Sequence, residues 1–357
     1  MKLLEWLGFQ GGVASGKRVR ESHTVNVAPG GQSFQVEKGR KVILNSALSA
    51  GLGFPHNCRV GSCTQCKCKL KSGKVRELTD SSYVLSAEDL KAGMILACQS
   101  IPETDLEIEV ELTSGGDRLV ETRGTIVGQK DLTHDILELR VSLDDPMPFK
   151  AGQYAEIRLE EFSLSRNYSF AIAPKGQEAS ELVFHVRKVP GGRFTEWLFA
   201  ANRQETRLSV SGPFGDFYLR PAEGDKPAPI VCVAGGSGMA PILSLLDQAK
   251  WAGESRDAVY LFGARTRQDL YSEKEISAIQ QGWRGSLTFT QVLSEEPAGS
   301  AWQGKRGYVT DQLDQLQLDW PCVQAYLCGP PAMIDAAIAK FSSLGVKPEN
   351  IHYDKFE

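Results

Sequence analysis

Residues 58–66 read CRVGSCTQC, and a fourth cysteine follows in ACQS at residues 97–100. This pattern is C-x4-C-x2-C with a distant fourth cysteine, which is a ligand spacing of [2Fe-2S] clusters. Three thiolates can reach the two irons from one tight loop, and the fourth comes from a separate segment. A cluster passes electrons singly, and most of the chain follows the motif, so we expect further electron carriers in the same polypeptide. The predicted ligands are Cys58, Cys63, Cys66 and Cys98.

A structural zinc ion is the alternative occupant, because zinc also binds four thiolates. Zinc sites usually pair two C-x2-C segments, whereas Cys98 stands alone, and this favours the cluster. Cys68 follows Cys66 by two residues on a predicted strand, so both would lie on one face. Cys68 is therefore a spare ligand or, as we expect, a buried free thiol.

The composition is that of a globular protein. The 357 residues suffice for two or three domains. Hydrophobic residues make up 41% and charged residues 24%, which are ordinary fractions, and the net charge of −4 gives no reason to expect a nucleic-acid partner. No run of about 18 apolar residues is present, and the start MKLLEWLGFQGG does not resemble a signal peptide. We therefore expect a cytoplasmic protein with reduced cysteines, not integral to a membrane, and a monomer.

Three blocks follow one another along the chain. Residues 22–113 alternate short strand patterns, such as HTVNV and LEIEVEL, with the cysteine loop and one short helix. Residues 118–225 are rich in alternating strands, as in ILELRVSL and LVFHVRK, which predicts an antiparallel barrel. Residues 226–357 alternate buried strands with helices, which is typical of a doubly wound parallel sheet. Residues 1–21 are interpreted as an N-terminal extension and 114–117 as a linker.

The motif RNYS, residues 166–169, begins a predicted strand of the barrel. Arg166 offers a planar positive group for phosphate. Tyr168 offers a flat stacking face, and the Ser169 hydroxyl offers a hydrogen bond to a ring. A surface arginine and a core tyrosine are the simpler interpretation of this motif alone.

A glycine turn downstream strengthens the motif. Gly191 and Gly192 precede a predicted helix start at Thr195. Such a turn before a helix N-terminus can bind a pyrophosphate. Together, the two segments predict a flavin with a phosphate tail.

Two further glycine turns follow buried strands of the third block. AGGSGMAP, residues 234–241, comes after PIVCV, and CGPPAM, residues 328–333, comes after VQAYL. Ligands bind at the carboxyl ends of parallel strands, where such turns let the backbone approach a dinucleotide. The strict G-x-G-x-x-G pattern is absent, so one turn alone would be an ordinary strand-to-helix connection. Two of them predict a nicotinamide dinucleotide site.

In this order, RNYS, GGSGMAP and CGPPAM resemble the ferredoxin-NADP reductase superfamily. With a plant-type ferredoxin motif in front, residues 22–357 resemble the reductase components of bacterial multicomponent oxygenases. Thr64 departs from the family pattern, which often has glycine after the second cysteine. The resemblance implies an α+β ferredoxin domain of the β-grasp type, a β-barrel FAD domain and an α/β NAD(P)H domain.

The resemblance also implies roles for single residues. FAD would contact Arg166, Tyr168 and Ser169, with Ser169 near the reactive flavin nitrogen, and Gly192 and Thr195 would hold its pyrophosphate. Phe356 is the expected aromatic cover of the flavin, with Tyr353 as the second choice. Cys328 would lie close to the nicotinamide, which gives Ser169, Cys328 and Phe356 as catalytic residues. The remaining nicotinamide dinucleotide site would comprise Gly235, Ser237, Gly238, Arg265, Gly329 and Pro330.

The implied function is electron transfer by an NADH:acceptor oxidoreductase. NADH gives two electrons as a hydride and a cluster accepts one, so FAD must stand between them. Electrons would pass from NADH to FAD, to the cluster and to a terminal oxygenase or hydroxylase component. The acceptor would dock at the cluster edge around Arg59, Val60 and Thr64. The same electron chain serving a deoxysugar dehydratase, or a non-catalytic redox sensor, are the alternatives.

The choice between NADH and NADPH rests on FGARTRQDLY, residues 262–271. A 2′-phosphate usually meets a basic residue in this region of the sheet. Arg267 is a candidate for that contact, although a solvated surface arginine is an equal interpretation. We expect NADH, with NADPH as the alternative.

Overall fold

The computed structural model describes residues 21–56, 59, 61, 64–112, 118–159, 164–221 and 228–356. The chain divides into two compact units. One contains the described residues up to Ala47 together with Arg59–Leu112, and the other contains Leu48–Cys58 and the chain from Thr113 onward. The predicted linker and all but Glu21 of the predicted N-terminal extension lie outside the described residues.

The first unit is built on a small mixed sheet. Its strands alternate buried and exposed residues. In the predicted strand HTVNV, Val25 and Val27 are buried and Asn26 between them is exposed. The strands are β1 Ser22–Ala28, β2 Gln32–Glu37, β3 Lys67–Ser72, β4 Val75–Glu77, β5 Met94–Leu96, β6 Ser100–Pro102 and β7 Leu106–Glu109. The order β2-β1-β7-β3-β5, with β1 parallel to β7 and antiparallel to β2, is a β-grasp arrangement. Helix α1 spans Ile43–Ser49, and α2 spans Ala87–Lys91.

The second unit begins with a six-stranded antiparallel sheet in the order β11-β10-β13-β8-β9-β12. Its strands are β8 Val120–Asp131, β9 Ile136–Met147, β10 Tyr154–Leu159, β11 Leu164–Ser169, β12 Ala179–Arg187 and β13 Arg207–Phe214. An isolated bridge between Phe170 and Phe184 joins the ends of the sheet, which gives the curled barrel expected from the alternating strands. Helix α3 spans Arg193–Ala200. The prediction that this helix starts at Thr195 was wrong by two residues, because Gly192 is the N-cap.

The remainder of the second unit is a parallel sheet covered by helices on both faces. Its strands are β14 Ile230–Gly235, β15 Ala258–Ala264, β16 Leu287–Leu293, β17 Lys305–Arg306, β18 Gln324–Gly329 and β19 Ile351–Lys355, in the order β17-β16-β15-β14-β18-β19. The helices are α4 Met239–Trp251, α5 Glu273–Gly282 and α6 Pro331–Ser343. Cys232 and Ala234 pack in one core cluster with residues of α4 and α5, while Val231 and Val233 pack with α6 on the opposite face. Because both faces are covered, β14 is buried along its whole length.

Candidate functional site

The first candidate site is the cysteine motif, of which Cys66 and Cys98 are described. Both side chains are buried, at 2% and 3% exposure. Their segments lie side by side, because β3 pairs with β5 and the Ala97 N–H donates to the Cys66 carbonyl at 3.1 Å. Cys58 and Cys63 lie outside the described residues. The separate fourth segment is thus placed next to the loop that carries the third ligand, as a four-thiolate cluster requires.

The loop between the cysteines has unusual backbone geometry. Arg59, Gly61 and Thr64 have positive φ angles of 59°, 89° and 59°. A Cβ atom on Gly61 would come within 2.9 Å of the Gln99 side chain, so this position needs glycine. The left-handed backbone at Thr64 explains why glycine is common there in the family that the sequence resembles, since only glycine adopts it without strain.

The structure describes two further residues singled out near the cluster loop, Arg59 and Cys68. Arg59, expected at the docking edge, donates from its guanidinium to Asn45 Oδ1 at 3.1 Å, so it also braces the loop against α1. Val60 lies outside the described residues. Cys68 is buried, and burial raises the pKa of its thiol to about 12. A thiol of that pKa is protonated at ordinary pH, which fits a buried free thiol.

The second candidate site is a cavity of about 490 Å³ in the second unit. Barrel strands β11 and β12 and the turn before α3 form one side, and the turns after β14 and β18 form the other. The residues that line it include most of the predicted flavin residues. They are Arg166, Asn167, Tyr168, Ser169, His185, Arg187, Val189, Gly192, Phe194, Thr195, Gly235, Ser237, Ala240, Pro330 and Phe356.

The RNYS strand presents three kinds of group to this cavity. Arg166 is exposed, and its Nη1 donates to the Ser165 carbonyl at 2.7 Å. The Tyr168 ring packs on Phe194, with 5.6 Å between centroids, and burial raises the pKa of its hydroxyl. Ser169 is 8% exposed. The strand therefore brings a cation, an aromatic ring and a hydroxyl to one wall, which suits a flavin and its phosphates.

The glycine turn before α3 has a different construction from the predicted one. The Thr195 hydroxyl lies inside the helix and bonds back to the turn, accepting from the Val189 N–H at 3.1 Å and donating to the Gly192 carbonyl at 3.1 Å. A Cβ on Gly192 would lie 2.8 Å from that hydroxyl. Gly191 has a φ of 73°, and its N–H donates to Glu196 at 2.8 Å. Gly192 and Thr195 line the cavity, whereas Gly191 shapes the turn.

Asp354, which was not predicted, contacts a predicted residue that lines this cavity. The Ser169 hydroxyl donates to Asp354 Oδ2 at 3.2 Å. Burial raises the pKa of Asp354 to about 6, although the Ser169 hydrogen bond opposes the shift. Asp354 lies on β19, a strand that the sequence analysis did not predict. The alternation in IHYDK, residues 351–355, was the available signal.

The chain end also supplies the predicted aromatic group. Phe356 lines the cavity, and its N–H donates to the Gly329 carbonyl at 3.0 Å. Tyr353 is 46% exposed, does not line the cavity and lies against Lys355. Of the two expected aromatics, Phe356 is therefore the one placed to cover a ring bound at β11.

His185 and Arg187 of β12 are further cavity residues that the sequence analysis missed. Burial lowers the pKa of His185 to about 3, so its imidazole is neutral, and Nδ1 has no hydrogen-bond partner among the described residues. Such a buried polar atom is consistent with a bound group that completes it. Arg187 lines this cavity and the adjoining one, and its Nε donates to Asp135 at 3.1 Å.

The adjoining cavity, of about 240 Å³, lies at the carboxyl ends of β14, β15 and β16. Gly235 lines both cavities, and Gly236 has a φ of 57°. Gly238 packs so closely that a Cβ there would lie 2.2 Å from the Cys328 carbonyl oxygen. The two glycine turns predicted from sequence thus contact each other, as a common dinucleotide site requires.

The CGPPAM turn places its residues at different depths. Cys328 is fully buried, lines neither cavity and has a pKa raised by burial. Gly329 has a φ of 146°, and Pro330 lines both cavities. In this arrangement Pro330 faces the ligand space directly, while Cys328 supports the turn from behind.

Three further arginines near the smaller cavity also donate to acceptors within this chain. Arg265, which lines it, donates to Asp135 at 3.2 Å and to Asp269 at 2.8 Å. Arg267 donates to Glu296 at 2.9 Å. Arg306 donates to the carbonyl oxygens of residues 296, 297 and 302 and to the Ser300 hydroxyl. The rim of the cavity also carries Tyr308, an aromatic side chain that is 71% exposed.

Comparison with known proteins assigns the three parts of the chain. Residues 25–103 match the 2Fe-2S iron-sulfur cluster binding domain, 123–218 the oxidoreductase FAD-binding domain and 232–338 the oxidoreductase NAD-binding domain. The chain is 44% identical over 334 residues to the electron transfer component of xylene/toluene monooxygenase from Pseudomonas putida, with 93% of each chain covered. It belongs to the reductase components of multicomponent oxygenases.

Further relatives agree with this assignment of the reductase. It is 35% identical to the reductase component of the naphthalene 1,2-dioxygenase system of Pseudomonas putida, covering 86% of this chain and 90% of that one. The structure of the Amycolatopsis cytochrome P450 reductase GcoB matches with a TM-score of 0.84 and 32% identity, over 94% of this chain and 98% of that one. The family and the domain matches confirm the predicted fold class, the [2Fe-2S] and FAD cofactors and a nicotinamide dinucleotide. Among the described residues of the reductase, no helix is both long and apolar enough to cross a membrane.

Proposed function

We propose that this reductase oxidises NADH and delivers the electrons, through FAD and the [2Fe-2S] cluster, to the terminal component of an aromatic or hydrocarbon oxygenase. The relatives named for xylene/toluene monooxygenase and naphthalene dioxygenase support this acceptor class. They do not support the two alternatives, a deoxysugar dehydratase system and a redox sensor. We further propose a monomer in the cytoplasm, where the cysteines would stay reduced.

One observation carries the proposal. The larger cavity is lined by the RNYS strand on one side and by Gly235 and Pro330 on the other. A flavin held at β11 and a dinucleotide held at the two glycine turns would therefore meet in one shared cavity. Bound FAD supplies the exchange between two-electron and one-electron transfer.

The residues of the chain bind and orient in this proposal. Arg166 would neutralise phosphate charge, and Tyr168 and Phe356 would hold the ring between aromatic faces. The Asp354 carboxyl, which accepts a hydrogen bond from Ser169 at the cavity wall, can hold or release a proton, because burial raises its pKa to about 6. Cys66 and Cys98, with the two cysteines outside the described residues, would hold the cluster.

The proposed preference for NADH is supported by the hydrogen bonds that three arginines already donate to groups of this chain. A 2′-phosphate would need a free arginine fork. Arg265, Arg267 and Arg306 each donate to carboxylates or backbone carbonyls of this chain. An incoming phosphate would have to break these bonds, whereas NADH carries no such group.

The proposal is tested by anaerobic visible spectra of the purified protein before and after NADH is added. Overlapping flavin and iron-sulfur bands that bleach together are expected. A matched pair of variants distinguishes the contribution of the cluster to these spectra from that of the flavin. Cys98→Ser should lose the cluster bands and keep the flavin response, whereas Cys322→Ser, which lies outside the motif, should behave as the unsubstituted protein. A colourless protein would contradict the proposal and restore zinc as the occupant.

A further inference from the structure

The side chain after the fourth cysteine lies at the centre of the cluster region. Gln99 is 8% exposed. Its Nε2 lies 3.8 Å from Cys98 Sγ and 3.4 Å from the Arg59 carbonyl oxygen. Its Cγ faces Gly61, where an added Cβ would come within 2.9 Å. One buried amide therefore touches a cluster ligand and the loop that carries the other ligands.

The orientation of this amide is fixed by its partners. The Arg59 carbonyl can only accept a hydrogen bond, so the amino group of Gln99 must face it. The opposite atom, Oε1, accepts from the Thr79 hydroxyl at 3.1 Å. The Leu78 N–H donates to the Gln99 carbonyl at 2.8 Å, which keeps Thr79 beside the amide. The reversed amide would place Oε1 against the Arg59 carbonyl oxygen and Cys98 Sγ, which are both acceptors.

We propose that Gln99 is a positioning residue that raises the reduction potential of the cluster by donating to the Cys98 sulfur, with Thr79 holding the amide in that orientation. The inference rests on the proposed [2Fe-2S] site. Hydrogen bonds to ligand sulfurs are among the features that set cluster potentials. A donor near Sγ stabilises the added negative charge of the reduced cluster, so its loss makes reduction harder.

The test measures the midpoint potential of the cluster by an anaerobic redox titration followed by electron paramagnetic resonance. Gln99→Leu removes the donor at similar volume, and we expect a potential more negative than in the unsubstituted protein. Thr79→Val removes only the hydroxyl that orients the amide, and we expect a smaller shift in the same direction. Thr79→Ser keeps the hydroxyl and should restore the original potential. Gln35→Leu, an exposed change on β2, is the control for an altered glutamine elsewhere in the domain.

Each outcome decides the question. Unchanged potentials in both Gln99→Leu and Thr79→Val would overturn the proposal. If Gln99→Leu fails to assemble a cluster, Thr79→Val decides alone, because Thr79 lies at the surface and its loss does not open the core. If the unsubstituted protein gives no [2Fe-2S] signal, the proposed cluster site itself is refuted, and the inference falls with it.

Discussion

The Ser169 hydroxyl donates a hydrogen bond to Asp354 Oδ2 across 3.2 Å, although 185 positions separate the two residues. Ser169 ends a barrel strand, and Asp354 lies on the last strand of the parallel sheet. This bond joins two parts of the chain. Ser169 lies in the part that matches the FAD-binding domain, and Asp354 follows the part that matches the NAD-binding domain. It places a carboxyl of raised pKa in contact with Ser169, which lines the larger cavity.

The raised pKa of Asp354 predicts a pH-dependent stability. The folded-state pKa is about 6, above the ordinary value of 3.8, so the folded protein holds the proton more tightly than the unfolded chain. Stability should therefore fall as the pH rises from about 4 through about 6. Asp354→Asn removes this dependence, and its thermal midpoint should exceed that of the unsubstituted protein more at pH 8 than at pH 5. Asp131→Asn, at an exposed position of β8, should show no such difference between the two pH values.

The arginine contacts predict how cofactor selection can be relaxed. Glu296→Gln removes the charge that holds Arg267, so Arg267 becomes available to a 2′-phosphate. We expect the ratio of kcat/KM for NADPH to that for NADH, measured with an artificial one-electron acceptor, to rise about tenfold, which corresponds to about 1.4 kcal/mol. The double variant Glu296→Gln/Arg267→Ala should lose this gain. A gain that persists without Arg267 would show that the contact is not responsible.

The close contact of the two glycine turns predicts a strong effect of one methyl group. Gly238→Ala would place Cβ 2.2 Å from the Cys328 carbonyl oxygen and 3.0 Å from the Gly329 nitrogen, both of them backbone atoms that cannot rotate away. We expect a loss of about 3 kcal/mol in the free energy of unfolding, together with weaker nucleotide binding. Gly299→Ala, where no atom lies within 4 Å of the added carbon, should be nearly neutral. Equal denaturation midpoints for the two variants would contradict this packing.

The docking prediction for Arg59 needs a control for its hydrogen bond to Asn45. Arg59→Glu reverses the charge at the predicted cluster edge and breaks that bond. Asn45→Ala breaks the bond and keeps the charge. If Arg59 contacts the acceptor, Arg59→Glu should slow electron delivery to the oxygenase component while Asn45→Ala does not, and NADH oxidation with an artificial acceptor should remain unchanged in both. Similar losses in the two variants would assign Arg59 a structural role instead.

Local sequence patterns were sufficient for most of the fold. The apolar run PIVCV is continuous because a strand of a covered parallel sheet is buried on both faces. The residues of ILELRVSL alternate because a barrel strand is buried on one face. Strand β19 was missed because the alternation in IHYDK is weak, with only Ile351 buried, and because its pairing with β18 cannot be seen in the local sequence. Asp354 was missed for the same reason. The helix start at Thr195 was wrong because the Thr195 hydroxyl bonds back to Val189 and Gly192 rather than capping the helix.

The larger cavity is lined both by Phe356, which follows β19, and by Arg166 of the barrel. Chimeras that exchange nicotinamide modules between related reductases would therefore exchange part of the flavin environment as well. A graft made at the predicted boundary near residue 226 would import a foreign residue in place of Phe356 and a foreign partner for Ser169. Engineers who wish to change only the electron donor would do better to graft the loops around Arg267 and Glu296 and to keep the native strand β19.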